Sequence, residues 1–524
     1  MKQILSTLLL LFSCFSWGQD LYMVYFQPKQ NTSNYFANPL AMLSQRALDR
    51  RTHRNISLDD KDVPINSSHL NSLKQLNLNY VGASKWLNAA MVEVYDENVI
   101  AQIQQFNFVY RVESLVRNSS ARNIAERNQL INHTLDFNYE NSSSFIEQLN
   151  LQYFHNAGFT GQNILVGVID SGFPGVNSTN AFAALRNENR IVDSKNFVNS
   201  SSIYQMDSHG TIVLATMAAK LDGVYVGAAP DAHYALYVSE DVDVETPKEL
   251  FYWVQAAERA DSVGVDVINT SLGYSTFDDP RYDYTYAEMD GETSLISKGA
   301  NIAYSRGIFL VNAMGNDGNN SWHYLTAPAD SPQVFSIGAN DINKNPGRFS
   351  SYGPNSINER KPNVSALGVS TPIYLPNGMI SRTNGTSLSS PIITGAIATL
   401  MSAMPQASLE DIKTLVEQSA HLYPNVNVQL GYGVPNFLTI YNQLATKELE
   451  TVKVELYPNP VANEVVINSK KKINKIAILD WNGNELKSVK DKNKIEMKEL
   501  PTGVYFLRIS LQNGQILNHK VLKK

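Results

Sequence analysis

"NILVGVIDSGF", residues 163–173, is an apolar run of strand length that ends on an acid and then a glycine. Leu165, Val166, Val168 and Ile169 show no polar alternation, so the segment is expected to be buried on both faces, as strands of a parallel sheet are. Asp170 falls at the carboxyl end of that strand. Taken alone, such an acid reads most simply as a turn or cap residue. In an open parallel sheet, however, ligands bind just beyond the carboxyl ends of the strands, so the residues that follow each apolar run carry the functional reading.

Working outward, similar runs recur: "HYALYVS" (233–239), "VDVINTSL" (265–272), "GIFLVNA" (307–313) and "VFSIGA" (334–339), separated by helical stretches such as "TPKELFYWVQAAERADSVG" (246–264). Strands alternating with helices imply right-handed crossovers and a mainly parallel sheet covered on both sides. The expected class over residues 149–446 is therefore α/β with three layers. A chain of 524 residues exceeds one core, which agrees with further domains on either side.

The flanks differ in texture. Residues 20–117 mix short apolar runs with the basic segment "RALDRRTHR" and predict a small α+β unit. Residues 118–148 are rich in Asn and Ser and read as an exposed, cleavable linker. From 452 to 524, short alternating runs with Asn-Gly at 482–483 and 513–514 predict hairpins in a small antiparallel β-sandwich. Residues 1–19 carry Lys2, an apolar run and small residues near Gly18, the pattern of a secretory signal peptide. Cys14, the only cysteine, lies inside that run, so the mature chain has no disulfide. A lipoprotein signal acylated at Cys14 is the competing reading, with Phe12 an awkward neighbour for it. No later stretch reaches the length of a membrane span. A net charge of -6 leaves no basic footprint for nucleic acid.

Two further motifs join Asp170. In "DSHGTIVLATMAA" (207–219), His209 alone of nine histidines stands where a polar loop meets a buried helix, followed by Gly210. In "NGTSLSSPIITGAIATL" (384–400), hydroxyl residues crowd against Pro391 before a run of small and branched apolar residues. Ser and Thr cap helices and Pro is tolerated in a first turn, which explains the composition. It does not explain the crowding. A serine held at a helix start, where free amides favour negative charge, explains both.

"DSG", "HGT" and "GTSLSSP", in that order, resemble the signature motifs of the subtilisin-like serine proteases, whose chain order of Asp, His, Ser is a family property. Support continues through "VGAAPDAHYALYVSED", "VDVINTSLGY", "LVNAMGNDG", "FSSYGP", "KPNVSALG" and "GYGVPN". The resemblance implies a secreted serine endopeptidase acting on protein or peptide substrates. It makes Ser387 the nucleophile, His209 the general base and Asp170 the group that orients the imidazole. It assigns the oxyanion hole to the Asn316 side chain and the Ser387 amide. It assigns substrate binding to Ser271, Leu272 and Gly273 as an edge strand, and to Gly315 and Met314. Met314 occupies a place where many relatives have a small residue, and is expected to shape the first specificity pocket. No catalytic metal or organic cofactor is implied. Relatives often hold a structural calcium, for which no acidic loop of EF-hand spacing speaks here.

Residues 81–114 are similar to the end of the family's inhibitory propeptides, although the Arg-rich segment departs from them. The tail, with "LYPNPVANEVVI", "DWNGNEL" and "LPTGVYFLRI", resembles the sorting domain of the type IX secretion system, which implies that machinery as a partner and export across the outer membrane. A generic or carbohydrate-binding β-sandwich is the alternative for the tail. For the whole chain, the rivals are a catalytically silent binding or adhesion protein on the same scaffold, which would have lost a triad or oxyanion residue, and an esterase.

Overall fold

The computed structural model describes residues 20–117, 139–450, 454–469, 472–480, 485–512 and 516–524. The expected signal peptide, residues 118–138 of the expected linker and both Asn-Gly pairs of the tail lie outside the described residues. The chain forms two compact units, Met1–Leu438 and Thr439–Lys524.

Seven strands build the central sheet of the first unit, in the order Val364–Leu367, Val334–Asn340, Phe309–Ala313, Val267–Thr270, Leu165–Asp170, His233–Val238, Ile191–Asn196. Every pairing is parallel. Leu165–Asp170 is buried along its whole length, as its unbroken apolar run required. The chain winds from this strand to one edge and later back across to the other, so the crossing point lies beside Asp170. Ile169 is in register with Thr270, which brings Asp170 and Ser271 out at the same edge.

Two helices matter most for that edge, His209–Ala218 and Thr386–Ala403, and they pack against each other. The second is buried from Leu388 to Met401, the all-round burial of a core helix.

Residues 20–117 form an antiparallel sheet in the order Asn79–Ser84, Ala89–Val94, Asp20–Phe26, Val109–Ser114. One face closes on its own helices through Val24, Val92, Val99 and Ile103. The other joins the main core through Leu21, Met23, Trp86 and Met91, beside Leu250 and Val254 of the helix Pro247–Val263. The Arg-rich segment is the helix Gln45–His53, and its Arg50 and Arg51 are buried. Arg51 binds Asp62 at 2.9 Å and Asp261 at 2.8 Å, and Arg50 shares Asp261. Residues 139–148, expected to be linker, are folded instead. Phe145 and Ile146 of the helix Ser143–Gln148 are fully buried, and two large apolar side chains outweigh the polar residues around them.

The second unit holds two antiparallel sheets, of three and four strands, over a core that includes Val465, Ile467, Ile476, Leu507 and Ile509.

Candidate active site

Asp170 is completely buried at its strand end. Its Oδ1 accepts from His209 Nδ1 at 2.7 Å and from the Ser171 amide at 2.8 Å. Oδ2 is enclosed without a hydrogen-bond partner, so the directional load falls on Oδ1. A carboxylate facing Nδ1 assigns the proton to that nitrogen and leaves Nε2 as the basic site. Asp207 holds the turn beneath: its Oδ1 accepts from the His209 amide and the Ser171 hydroxyl, both at 2.9 Å. Gly210 permits the approach, since a Cβ there would stand 2.4 Å from the Gly172 carbonyl oxygen. The imidazole remains about one third exposed, at 34%.

The crowded hydroxyls sort themselves by partner. Ser389 donates to the Ala366 carbonyl at 3.0 Å, while Ser390 and Thr394 both donate to Asn269 Oδ1 at 2.9 Å. From Thr386 to Met401, Ser387 alone is not buried. The neighbouring hydroxyls fasten the helix start, and the one at 387 is left accessible.

Pro391 adds a complication that the fold resolves. It has no N–H to give the carbonyl four residues earlier, which belongs to Ser387. Ser271 Oγ donates to that carbonyl instead, at 2.9 Å. Asn269 Nδ2 donates to Ser271 Oγ at 3.2 Å, which directs the serine hydrogen toward Ser387. The strand edge thus carries the backbone of residue 387.

Asn316 is exposed beside this helix start. Its Oδ1 accepts from the Thr386 amide at 2.9 Å and the Thr386 hydroxyl at 3.0 Å. An amide donor can face only the oxygen, so the flip is determined and the NH2 group points away from Thr386. Ser387, second in its helix, has an amide with no carbonyl inside the helix to bind. Both predicted oxyanion donors therefore belong to one helix start.

Along the predicted substrate edge, Ser271 is mostly buried, Leu272 partly so and Gly273 exposed. Asn312 Nδ2 donates to the Leu272 carbonyl at 3.0 Å. Tyr274 turns inward and donates to Glu240, which also accepts from Ser239. Burial pushes the Glu240 carboxyl up to about 8, outweighing the hydrogen bonds that pull it down.

Met314 requires a correction. Its side chain is wholly enclosed in the main core with Leu310, Leu325 and Ala327, so it offers a substrate no surface. Its amide donates to the Ile337 carbonyl, which prolongs the strand and turns the side chain inward before the chain bends at Gly315, φ +107°. The side chain that reaches the gap between Gly273 and Gly315 is Thr326, a residue the sequence did not single out. Its only signal is its place shortly before the buried "APAD" run.

Among the described residues, no group of three or more His, Cys, Asp or Glu is placed to hold a metal ion, and no helix is long and apolar enough to cross a membrane. Lys361, buried, donates to the carbonyls of Ser331 and Val334 at 2.6 Å each, so positive charge at that carbonyl pair comes from the chain itself.

Comparison with known proteins adds three family matches: Subtilase family over residues 161–433, Peptidase S8 propeptide domain, Bacteroidota, over 21–130, and Secretion system C-terminal sorting domain over 455–524. Subtilisin DY of Bacillus licheniformis is 33% identical over 50% of this chain and 85% of its own length. Subtilisin of Bacillus pumilus is 30% identical over 56% and 95%, and Subtilisin E of Bacillus subtilis (strain 168) is 31% identical over 52% and 65%.

Proposed function

The chain belongs to the subtilase family, and from that membership we propose that it hydrolyses peptide bonds through an acyl-enzyme formed on Ser387. It is a serine-type endopeptidase, and its type IX sorting domain marks it for export to the cell surface or the medium. Ser387 Oγ attacks the substrate carbonyl carbon while His209 Nε2 takes the hydroxyl proton. Asp170 holds the ring and stabilises the imidazolium. The oxyanion is met by Asn316 Nδ2 and the Ser387 amide. As the tetrahedral species collapses, the C–N bond breaks and His209 returns the proton to the leaving amine. Water then attacks the ester with His209 again as base, releasing a carboxylic acid and restoring Ser387.

The observation that carries this reading is the 2.7 Å bond from His209 to fully buried Asp170, at the sheet edge where Ser387 is the one accessible residue of its helix start. Protein and peptide substrates lie along Ser271–Gly273 as an added strand. Residues 20–117 act as a propeptide separated by cleavage in the linker, and N-terminal sequencing of secreted protein that still began near Gln19 would refute that step. The nucleophile is tested by fluorophosphonate labelling and casein digestion with wild type and Ser387→Ala. Both signals are expected from wild type and neither from Ser387→Ala. A folded wild type, freed of residues 20–117, that takes no label would sink the assignment. Labelling with ester turnover but no cut in casein would favour the esterase.

A further inference from the structure

The predicted substrate edge does not stop at Gly273. It runs on through Tyr274 into residues 275–294, a loop rich in Asp and Tyr that leads to the helix Leu295–Ser305. The loop braces itself. Asp283 Oδ1 accepts from the Phe277 amide at 2.7 Å, and the Tyr284 amide donates to the Ser275 carbonyl at 2.8 Å. Its two single-turn helices, Pro280–Tyr282 and Tyr286–Glu288, are both capped from within. Asp279 Oδ1 accepts from the Arg281 amide at 3.0 Å, while Glu288 Oε2 accepts from the Thr285 amide at 2.8 Å and the Thr285 hydroxyl at 2.9 Å.

The second cap uses one oxygen of Glu288. The other, Oε1, accepts from the guanidinium of Arg117, which lies 4.2 Å from the centre of the Tyr284 ring. The Arg117 amide donates to the Arg281 carbonyl. An arginine is thus read by its charge, by its flat face and by its backbone. All three reading groups belong to the loop, which holds its shape through its own bonds. Arg117 belongs to the segment 20–117, which the proposed processing separates from the catalytic domain.

The place of the loop suits a substrate as well. Ser271 holds the Ser387 carbonyl, so in the proposed mechanism the scissile bond lies at that end of the edge and the loop at the other. Tyr284 is fastened to Ser275, four residues beyond Ser271, and an extended peptide must therefore run at least about four residues from its cut to reach the ring. Because processing cuts after Arg117, an arginine in this site stands on the amino side of the scissile bond.

We propose that Tyr284, Glu288 and the Arg281 carbonyl form an arginine-binding site of the catalytic domain, filled first by Arg117 and then by an arginine of the substrate several residues before the cut. The inference rests on the serine endopeptidase reading and adds a substrate class, polypeptides with a basic residue upstream of the scissile bond. Arginine is preferred to lysine, since a planar guanidinium stacks on a ring while its edge meets a carboxylate.

The test uses secreted enzyme freed of residues 20–117, as wild type and Glu288→Gln. Quenched fluorescent peptides share one cleavage sequence mapped on casein and carry Arg, Lys or Gln at single positions about four to ten residues before the cut. For wild type, kcat/KM is expected to be at least about fivefold higher with Arg than with Gln at one of these positions, through KM, with Lys between. Glu288→Gln keeps an oxygen for the Thr285 cap but turns an NH2 group toward the guanidinium, so the Arg advantage is expected to fall below about twofold. Fluorophosphonate labelling of Ser387 in each preparation reports separately on the protease reading. A wild-type advantage below about twofold at every position overturns the proposal while labelling stands, without any variant having to fold, and leaves the site to the propeptide alone. So does an advantage that survives in Glu288→Gln. A preparation that takes no label and cuts no peptide overturns the protease reading instead.

Discussion

Asn316→Ala removes two things that the structure keeps distinct. The first is the NH2 donor proposed for the developing oxyanion. Loss of one such donor costs about 2.7–4 kcal/mol of transition-state stabilisation, a figure that comes from a subtilisin itself. At about 1.36 kcal/mol per tenfold, kcat should fall by roughly 100- to 1,000-fold. The second is the acceptor at Oδ1, which holds the Thr386 amide at 2.9 Å and its hydroxyl at 3.0 Å. The hydroxyl keeps the Gly315 carbonyl at 3.2 Å as an alternative, so the stability term is about one hydrogen bond, on the order of 1 kcal/mol. Asn316→Asp separates the two effects, because it retains both acceptor contacts and has no donor. Steady-state kinetics on a peptide anilide, with melting followed by fluorescence, should show both variants deficient in kcat and only Asn316→Ala measurably less stable. If Asn316→Asp keeps kcat within about fivefold of wild type, Asn316 is a clamp for the helix start and not an oxyanion donor.

Three further outcomes are expected. Ser271→Ala strands the Ser387 carbonyl that Pro391 cannot serve and should cost about 1–3 kcal/mol in urea unfolding; adding Pro391→Ala, which restores an amide donor, should recover part of the loss, and strict additivity would count against the coupling. Glu240 ionises near 4.5 in the unfolded chain and only near 8 in the fold, so its contribution is fully present below about pH 4.5 and disappears as pH rises through about 8. Glu240→Gln should accordingly flatten the fall in melting temperature between about pH 4.5 and pH 8, and an unaltered slope would exonerate Glu240. Asp261→Ala leaves Arg50 and Arg51 without their shared carboxylate, a loss of about 3–5 kcal/mol for a buried pair; limited proteolysis should then remove residues 20–117 faster, and an unchanged rate would assign the docking to apolar contacts.

What was legible in the sequence was local. The unbroken run Leu165–Ile169 announced a strand buried on both faces, Gly210 announced a close approach, and the Ser, Thr and Pro crowd announced a helix start with one residue set apart. Each depends on covalent neighbours and on periodicities of two or 3.6 residues, which a linear reading preserves. The linker was overextended to 148 because Phe145 and Ile146 find their burial against distant residues, and composition averages over such anchors. Met314 misled for a related reason: its neighbours in sequence are proposed site residues, but its backbone pairing with Ile337 decides which way the side chain faces.

The sequence by itself determined the class of fold, the family, through its three ordered signature motifs, and the export signal in the tail, since these are written in contiguous motifs. Tertiary structure alone decided that Ser271, 116 positions before Ser387, would carry the carbonyl orphaned by Pro391. It also decided that Thr326 would fill the gap at two glycines, and that Arg50 and Arg51 would converge on Asp261. The physical reason is common to all three. Hydrogen-bond partners and steric neighbours are set by strand register and helix packing, and those emerge only when segments far apart in the chain have been brought together.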